Sequence, residues 1–174
     1  MSALGIRDAT LADTPAMGQL HVAAWRAAYA GIMGAEFLAS LDPLEREDLW
    51  RGLVSGGTRV LVALEGRRVR GFACYGAERD DSETPRVGEL MAINLHPDAW
   101  RHGVGSALLA AVVERLREAR FREAVLWVVR ENTRARAFYE AREWRADGAE
   151  KHDAGAWGAV VHELRYRRSL EPRP

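Results

Sequence analysis

Leu95-His96-Pro97-Asp98-Ala99-Trp100-Arg101-His102-Gly103-Val104-Gly105-Ser106-Ala107-Leu108-Leu109 is the stretch that decides the fold. The apolar run Leu90 to Leu95 reads as a strand and Pro97 stops it. Two glycines follow, one residue apart, and an amphipathic helix begins at once. Without a Cβ, Gly103 and Gly105 allow a sharp turn and the close approach of an anion. The first N–H groups of a helix have no partner inside it. Strand, glycine turn and helix N-terminus together make a phosphate site built from backbone. The macrodipole contributes about 0.3–1 kcal/mol there. Each hydrogen bond to a charged oxygen contributes about 1.5–3 kcal/mol. Several N–H contacts therefore outweigh the dipole.

The spacing excludes two other phosphate loops. No Lys-Ser or Lys-Thr follows the glycines, and the third glycine of a dinucleotide fingerprint is replaced by Leu108. Outward from the turn, Val87–Leu95 is a strand and Val104–Ala119 a helix with Val104, Leu108, Val112 and Leu116 on one stripe. Arg59–Glu65 and Val69–Tyr75 form a hairpin around Gly66-Arg67. Leu4–Asp8 is a first strand. Thr14-Pro15 reads as a cap opening a helix to Gly31, and a short helix covers Glu36 to Leu41. Asp42-Pro43-Leu44-Glu45 reads as a capping box for a helix to about Val54. Ala77 to Arg86 is a polar loop. Ala124–Val129 is a strand and Thr133–Ala141 the last helix. Trp144–Ala146 and Val160–Tyr166 close the chain as an antiparallel pair, with a Gly-rich loop between them. There is no internal repeat or linker, so the expectation is one α+β domain over residues 1–174, its core about 4–167.

A second segment narrows the function. In Val125-Leu126-Trp127-Val128-Val129-Arg130-Glu131-Asn132-Thr133-Arg134-Ala135-Arg136-Ala137-Phe138-Tyr139-Glu140 a buried-type strand leads through Asn132 into a short helix. The glycine turn followed by this Asn-x-x-Ala-x-x-Phe-Tyr-Glu helix resembles the GNAT acetyltransferase superfamily, from Ile6 to about Tyr166. The resemblance implies a mixed, mostly antiparallel sheet flanked by helices. It also implies transfer of an acyl group, usually acetyl, from acetyl-CoA to an amine by direct attack. One place departs from the family pattern: Trp100 stands where Gln or Arg is frequent, with Arg101 beside it.

The resemblance assigns roles residue by residue. Arg101, His102, Gly103, Val104, Gly105 and Ser106 form the pyrophosphate turn. The backbone of Leu95 pairs with the pantetheine arm like an added strand. Asn132 lies along that arm, and Asn is also a favoured N-cap, two compatible roles. Tyr139 is the candidate proton donor to the departing thiolate; the plainer reading is an aromatic that packs the helix on the sheet. Glu89 is the candidate base. Period two puts Glu89, Met91, Ile93 and Leu95 on one face, and a carboxylate on an apolar face suits proton acceptance. The plainer reading is a solvated strand-start glutamate. Asp80, Asp81 and Glu83 are weaker candidates. Trp25 and Tyr29, four residues apart on the first helix, read either as core or, with Met91, as lining of an acceptor pocket. A base is needed for an alkylamine, since neutralising a group of pKa near 10.4 at pH 7 costs about 4.6 kcal/mol. An α-amine near 8 needs only about 1.4 kcal/mol.

Composition bounds the rest. The 174 residues are 48% hydrophobic and 29% charged, with a formal net charge of zero, which disfavours general attraction to nucleic acid or membrane. The sequence has no apolar run of membrane-spanning length and no signal-peptide pattern. The single cysteine, Cys74, fits a reducing interior, so a cytoplasmic enzyme is expected. His21, His96, His152 and His162 show no metal spacing, so no metal is expected. Lys151 is the only lysine, read as base composition. A small-molecule amine is the expected acceptor, because there is no long acidic run for basic peptides. N-terminal protein acetylation and a non-catalytic acyl-CoA sensor are the competing readings. Oligomeric state stays open, a homodimer included.

Overall fold

A computed structural model describes residues 3–79, 86–154 and 160–171. In chain order the elements are β1 (Leu4–Asp8), α1 (Thr14–Ala28), α2 (Ala35–Ser40), α3 (Pro43–Ser55), β2 (Arg59–Glu65), β3 (Arg68–Ala77) and β4 (Val87–Leu95). They continue with α4 (Val104–Glu118), β5 (Glu123–Val129), α5 (Thr133–Glu140), β6 (Arg145–Ala154) and β7 (Val160–Ser169). The described strands form one seven-stranded sheet in the order β1-β2-β3-β4-β5-β7-β6. Every neighbouring pair is antiparallel except β4 and β5. That pair is parallel because the chain returns through α4, the kind of crossover a parallel step requires.

Local chemistry explains most boundaries, with corrections at three of them. The cap of α1 is Asp13 rather than Thr14. The Asp13 carboxylate accepts from Thr10 N–H at 2.7 Å and ion-pairs with Arg7, while the Thr14 hydroxyl bonds back to Leu11. Asp42 caps α3, but through Leu44 N–H at 2.9 Å, not through the Glu45 N–H that a capping box uses. The stretch after Ala146 is not a loop throughout: past an irregularity at Ala146/Glu150, β6 continues on β7 to Ala154. Asp80, Asp81 and Glu83 lie outside the described residues.

Helices cover both faces of the sheet. α4 buries Val104, Leu108, Val112 and Leu116 with Leu109 and Val113 against Leu61, Tyr75, Leu90 and Leu126. α1 and α3 bury Met17, Leu20 and Trp50 against Val60, Val62 and Phe72 on the other face. The two helices touch almost backbone to backbone: a Cβ at Gly18 would lie 2.5 Å from the Pro43 carbonyl oxygen.

Two irregularities in β4 position the site. Cys74 of β3 faces Ala92, whereas the next residue, Tyr75, faces Leu90. Met91 is therefore the extra residue of a β-bulge. The bulge reverses the alternation. Leu90, Ile93 and Leu95 pack on the α4 side, while Met91 and Ala92 pack on the α1 side. Glu89, one residue before Leu90, shares its face with Met91 but not with Ile93 or Leu95, correcting the single face expected from period two. The second irregularity is a parting of strands. β4 and β5 pair only from Val87↔Glu123 to Leu90↔Leu126. Beyond that point Met91–Leu95 and Trp127–Val129 face each other unpaired.

Candidate active site

A cleft of about 1040 Å³ occupies the opening between β4 and β5. Its wall includes Tyr139, Glu89, Leu95, Arg101, Gly103, Gly105, Ser106, Asn132, Trp25, Tyr29 and Met91. These residues span most of the chain, and the parting of two strands brings them together. His102 and Val104 are not in the wall. His102 is exposed on the turn, and the Val104 side chain belongs to the core, which leaves only its backbone for a ligand.

One end of the cleft gathers backbone N–H donors and guanidiniums. Gly103 is left-handed, with φ +82°, and begins α4 without a side-chain cap. The first backbone bond inside this helix runs from Ala107 N–H to the Gly103 carbonyl. The N–H groups of Val104, Gly105 and Ser106 therefore precede the internal ladder. The two glycines serve different ends. At Gly103 nothing lies within 4 Å of an added Cβ, so the requirement is conformational. At Gly105 an added Cβ would sit 2.9 Å from Leu95 Cδ1 and 3.4 Å from the Phe138 ring, so the requirement is close packing of α4 on β4 and α5.

Two guanidiniums crowd this rim. Arg134, from the first turn of α5, stacks 3.5 Å over the Trp100 ring. Burial and then the nearby Arg101 charge hold its pKa below the usual arginine value. Two cations held against their mutual repulsion are stabilised by an anion placed between them. Arg142 donates to the Ser106 hydroxyl, which keeps its own hydrogen to donate onward.

In the middle of the cleft, Met91–Leu95 present a strand edge without a neighbour, a template for an extended amide-bearing chain. The Trp100 indole donates to the Leu95 carbonyl at 3.3 Å, leaving that oxygen its second lone pair. Asn132 caps α5 through Ala135 N–H at 3.1 Å while its side chain lines the cleft. Tyr139 is buried and packed edge-on to Phe138 and Trp144, as the packing reading expects, and it also lines the cleft. Burial, then the neighbouring Tyr29, pushes its phenol far above the ordinary tyrosine value, and it stays protonated at neutral pH.

The far end mixes aromatic rings with ion pairs. Trp25 packs edge-on to Tyr29 at 5.1 Å and lies 5.0 Å from the His21 ring. Glu89 is 1% exposed and not solvated. Both its oxygens are held by Arg79, with contacts of 2.6 and 3.1 Å from the guanidinium and 3.1 Å from the backbone N–H. Burial and then the Glu163 charge push the Tyr29 phenol up, against an opposing hydrogen bond from Asn132 and the charge of Arg134.

Sequence reasoning passed over several residues of the wall, among them His21, Arg79, Arg134, Trp127, Lys151 and Glu163. Arg134 had a local signal, since it is the second residue of the helix after Asn132. Lys151 and Glu163 had none, because they reach the cleft only through the pairing of β6 and β7. Among the described residues no group of three or more His, Cys, Asp or Glu is placed to hold a metal. No helix among them is long and apolar enough to cross a membrane.

Comparison with known proteins agrees with this geometry. Residues 20–144 match the acetyltransferase (GNAT) family model. The uncharacterized N-acetyltransferase YuaI of Bacillus subtilis is 36% identical over 136 residues, which is 78% of this chain and 77% of YuaI. A probable N-acetyltransferase of Mycobacterium tuberculosis is 28% identical over 179 residues, covering 98% of each chain. The fold matches that of a PaiA N-acetyltransferase from Thermoplasma acidophilum, solved with coenzyme A. The TM-score is 0.76 at 17% identity, over 96% of this chain and 99% of that one. An uncapped helix N-terminus after a parted strand, the Asn132–Tyr139 helix and these likenesses converge: the chain belongs to the GNAT acetyltransferase family.

Proposed function

We propose that this enzyme moves an acetyl group from acetyl-CoA to the amine of a small molecule, by direct attack within a ternary complex. The observation that carries the reading is the course of the cleft. It runs from an arginine-rimmed helix N-terminus, past Tyr139, to an aromatic corner with carboxylates. Acetyl-CoA supplies the activated acyl carbon. The N–H groups of Val104, Gly105 and Ser106, with Arg101 and Arg134, bind its diphosphate. The free edge of β4 and Asn132 orient the amide arm. Tyr139 remains a phenol and donates its proton to the departing sulfur. Glu89, held by Arg79, draws the acceptor's proton. Trp25, Tyr29 and Met91 receive the body of the acceptor. An end walled by the side chains of Trp25, Tyr29 and Met91 suits a small amine better than a folded protein surface. The unpaired, buried Cys74 suits a cytoplasmic setting.

A thiol-release screen with acetyl-CoA over small amines and peptide N-termini tests this. Release with small amines is the expected result. Release only with peptide N-termini moves the reading to protein acetylation. Coenzyme binding without release for any acceptor marks a sensor domain.

A further inference from the structure

The corner made by Trp127, Glu163 and Lys151 is not used by the mechanism above. Trp127 faces Arg165 across β5 and β7, and Val129 faces Glu163. Lys151 of β6 faces Glu163 of β7. All three residues of the corner line the cleft. Lys151 Nζ stands 4.2 Å over the Trp127 ring and 3.5 Å from Glu163 Oε2.

An indole face beside a carboxylate is a receptor for a compact cation. The cation in place is held loosely. A tight ammonium–carboxylate hydrogen bond is about 2.7–2.9 Å long, shorter than this contact. The Lys151 side chain is 40% exposed. By contrast Arg79 grips Glu89 through several hydrogen bonds, and Arg165 is fastened to both Glu78 and Asp147. A lysine ammonium is also chemically the head group of a primary alkylamine.

We propose that this corner is the binding site for the acceptor's ammonium, and that Lys151 is a resident stand-in which a primary amine displaces onto solvent. The acceptor class is then a primary alkylammonium whose carbon body lies against Trp25 and Met91. Secondary amides and neutral alcohols are excluded, since they bring no charge to Glu163. This rests on the acetyl-transfer reading and deepens it.

The test is calorimetric titration of benzylamine, with benzyl alcohol as the neutral control, into the protein saturated with coenzyme A. Lys151→Ala removes the ammonium and its stem from the indole face and binds benzylamine roughly tenfold more tightly than the wild type. Glu163→Gln binds it at least about tenfold more weakly, an effect of the size expected for a desolvated cation on an indole with its counter-charge. Benzyl alcohol distinguishes none of the three proteins. Benzylamine binding that is unchanged or weaker in Lys151→Ala overturns the proposal, and so does benzylamine failing to bind that variant at all. Lys151 is half-exposed, so this variant decides the question even if Glu163→Gln does not fold. Coenzyme A titrated alone separates the two readings. A wild type that ignores coenzyme A sinks acetyl transfer itself, whereas intact coenzyme binding with an indifferent Lys151→Ala sinks only the ammonium corner.

Discussion

Replacing Gly103 by alanine separates the shape of the turn from its contacts. Gly103 holds φ +82° with open space around an added Cβ, so alanine meets no clash and only backbone strain. That strain is about 1–2 kcal/mol for an L-residue in the left-handed region. In a domain of 174 residues each kcal/mol moves Tm by about 2–4 °C, so the fall is roughly 2–8 °C. Gly57 supplies the control. It has φ +85°, equally open surroundings and no place in the cleft wall, so Gly57→Ala should lose the same stability. The two variants diverge in coenzyme binding. If alanine relaxes out of the left-handed region, the N–H groups at the start of α4 rotate. One lost hydrogen bond to a charged oxygen costs about 1.5–3 kcal/mol. Kd for coenzyme A then rises roughly 10- to 150-fold in Gly103→Ala and stays unchanged in Gly57→Ala. Thermal unfolding without ligand and isothermal titration with coenzyme A measure both quantities. A smaller loss of Tm in Gly103→Ala than in Gly57→Ala, the mark of a turn that has relaxed, together with unchanged coenzyme affinity would refute the claim that this turn grips the diphosphate.

Four further outcomes follow from the geometry. Tyr139→Phe should lower kcat about a hundredfold or more while coenzyme Kd stays as in the wild type; unaltered turnover in steady-state kinetics removes the phenol from the mechanism. Glu89→Gln should lower kcat for an alkylamine about a hundredfold while coenzyme Kd stays as in the wild type, and unaltered turnover rejects Glu89 as the base. Burial, then the Arg46 charge, holds the His21 pKa at about 4, below its free value of 6.5. The unfolded chain therefore binds more protons between these values, and stability is complete above about pH 6.5 and falls as pH drops toward 4. The loss is about 3 kcal/mol, and denaturant titrations across that range should find it reduced in His21→Asn. Finally, Gly18→Ala should destabilise by about 1–3 kcal/mol without touching coenzyme affinity, because the new Cβ would meet backbone atoms of Pro43 and Glu47 that cannot yield.

Much of the frame was legible because it rests on interactions between residues a few positions apart. Gly66-Arg67 closes a hairpin and Asn132 caps the helix that follows it. Pro97 ends β4, and the stripe from Val104 to Leu116 can bury itself only as a helix on a sheet. The glycine turn and the Asn132–Tyr139 helix pointed to the family for the same reason: each is a local structure with a local sequence. Where local reading failed, a neighbouring contact shifted a boundary: Asp13, held by Arg7 and Thr10, occupies the N-cap position of α1 without a side-chain bond to the helix, and Thr14 is already helical. The site itself depended on contacts that no local pattern encodes. The bulge at Met91 comes from the register of β3 on β4, and it turned Glu89 away from Ile93 and Leu95. Arg134 reaches Trp100, and Arg142 reaches Ser106 across 36 residues of chain, only after α5 docks beside α4. The meeting of Lys151, Trp127 and Glu163 requires three strands to pair first. Caps, turns and periodicity are set by short-range sterics and hydrogen bonds that the sequence displays directly. Which side chains share the cleft is decided by strand register and helix docking, whose energies are spread over the whole core.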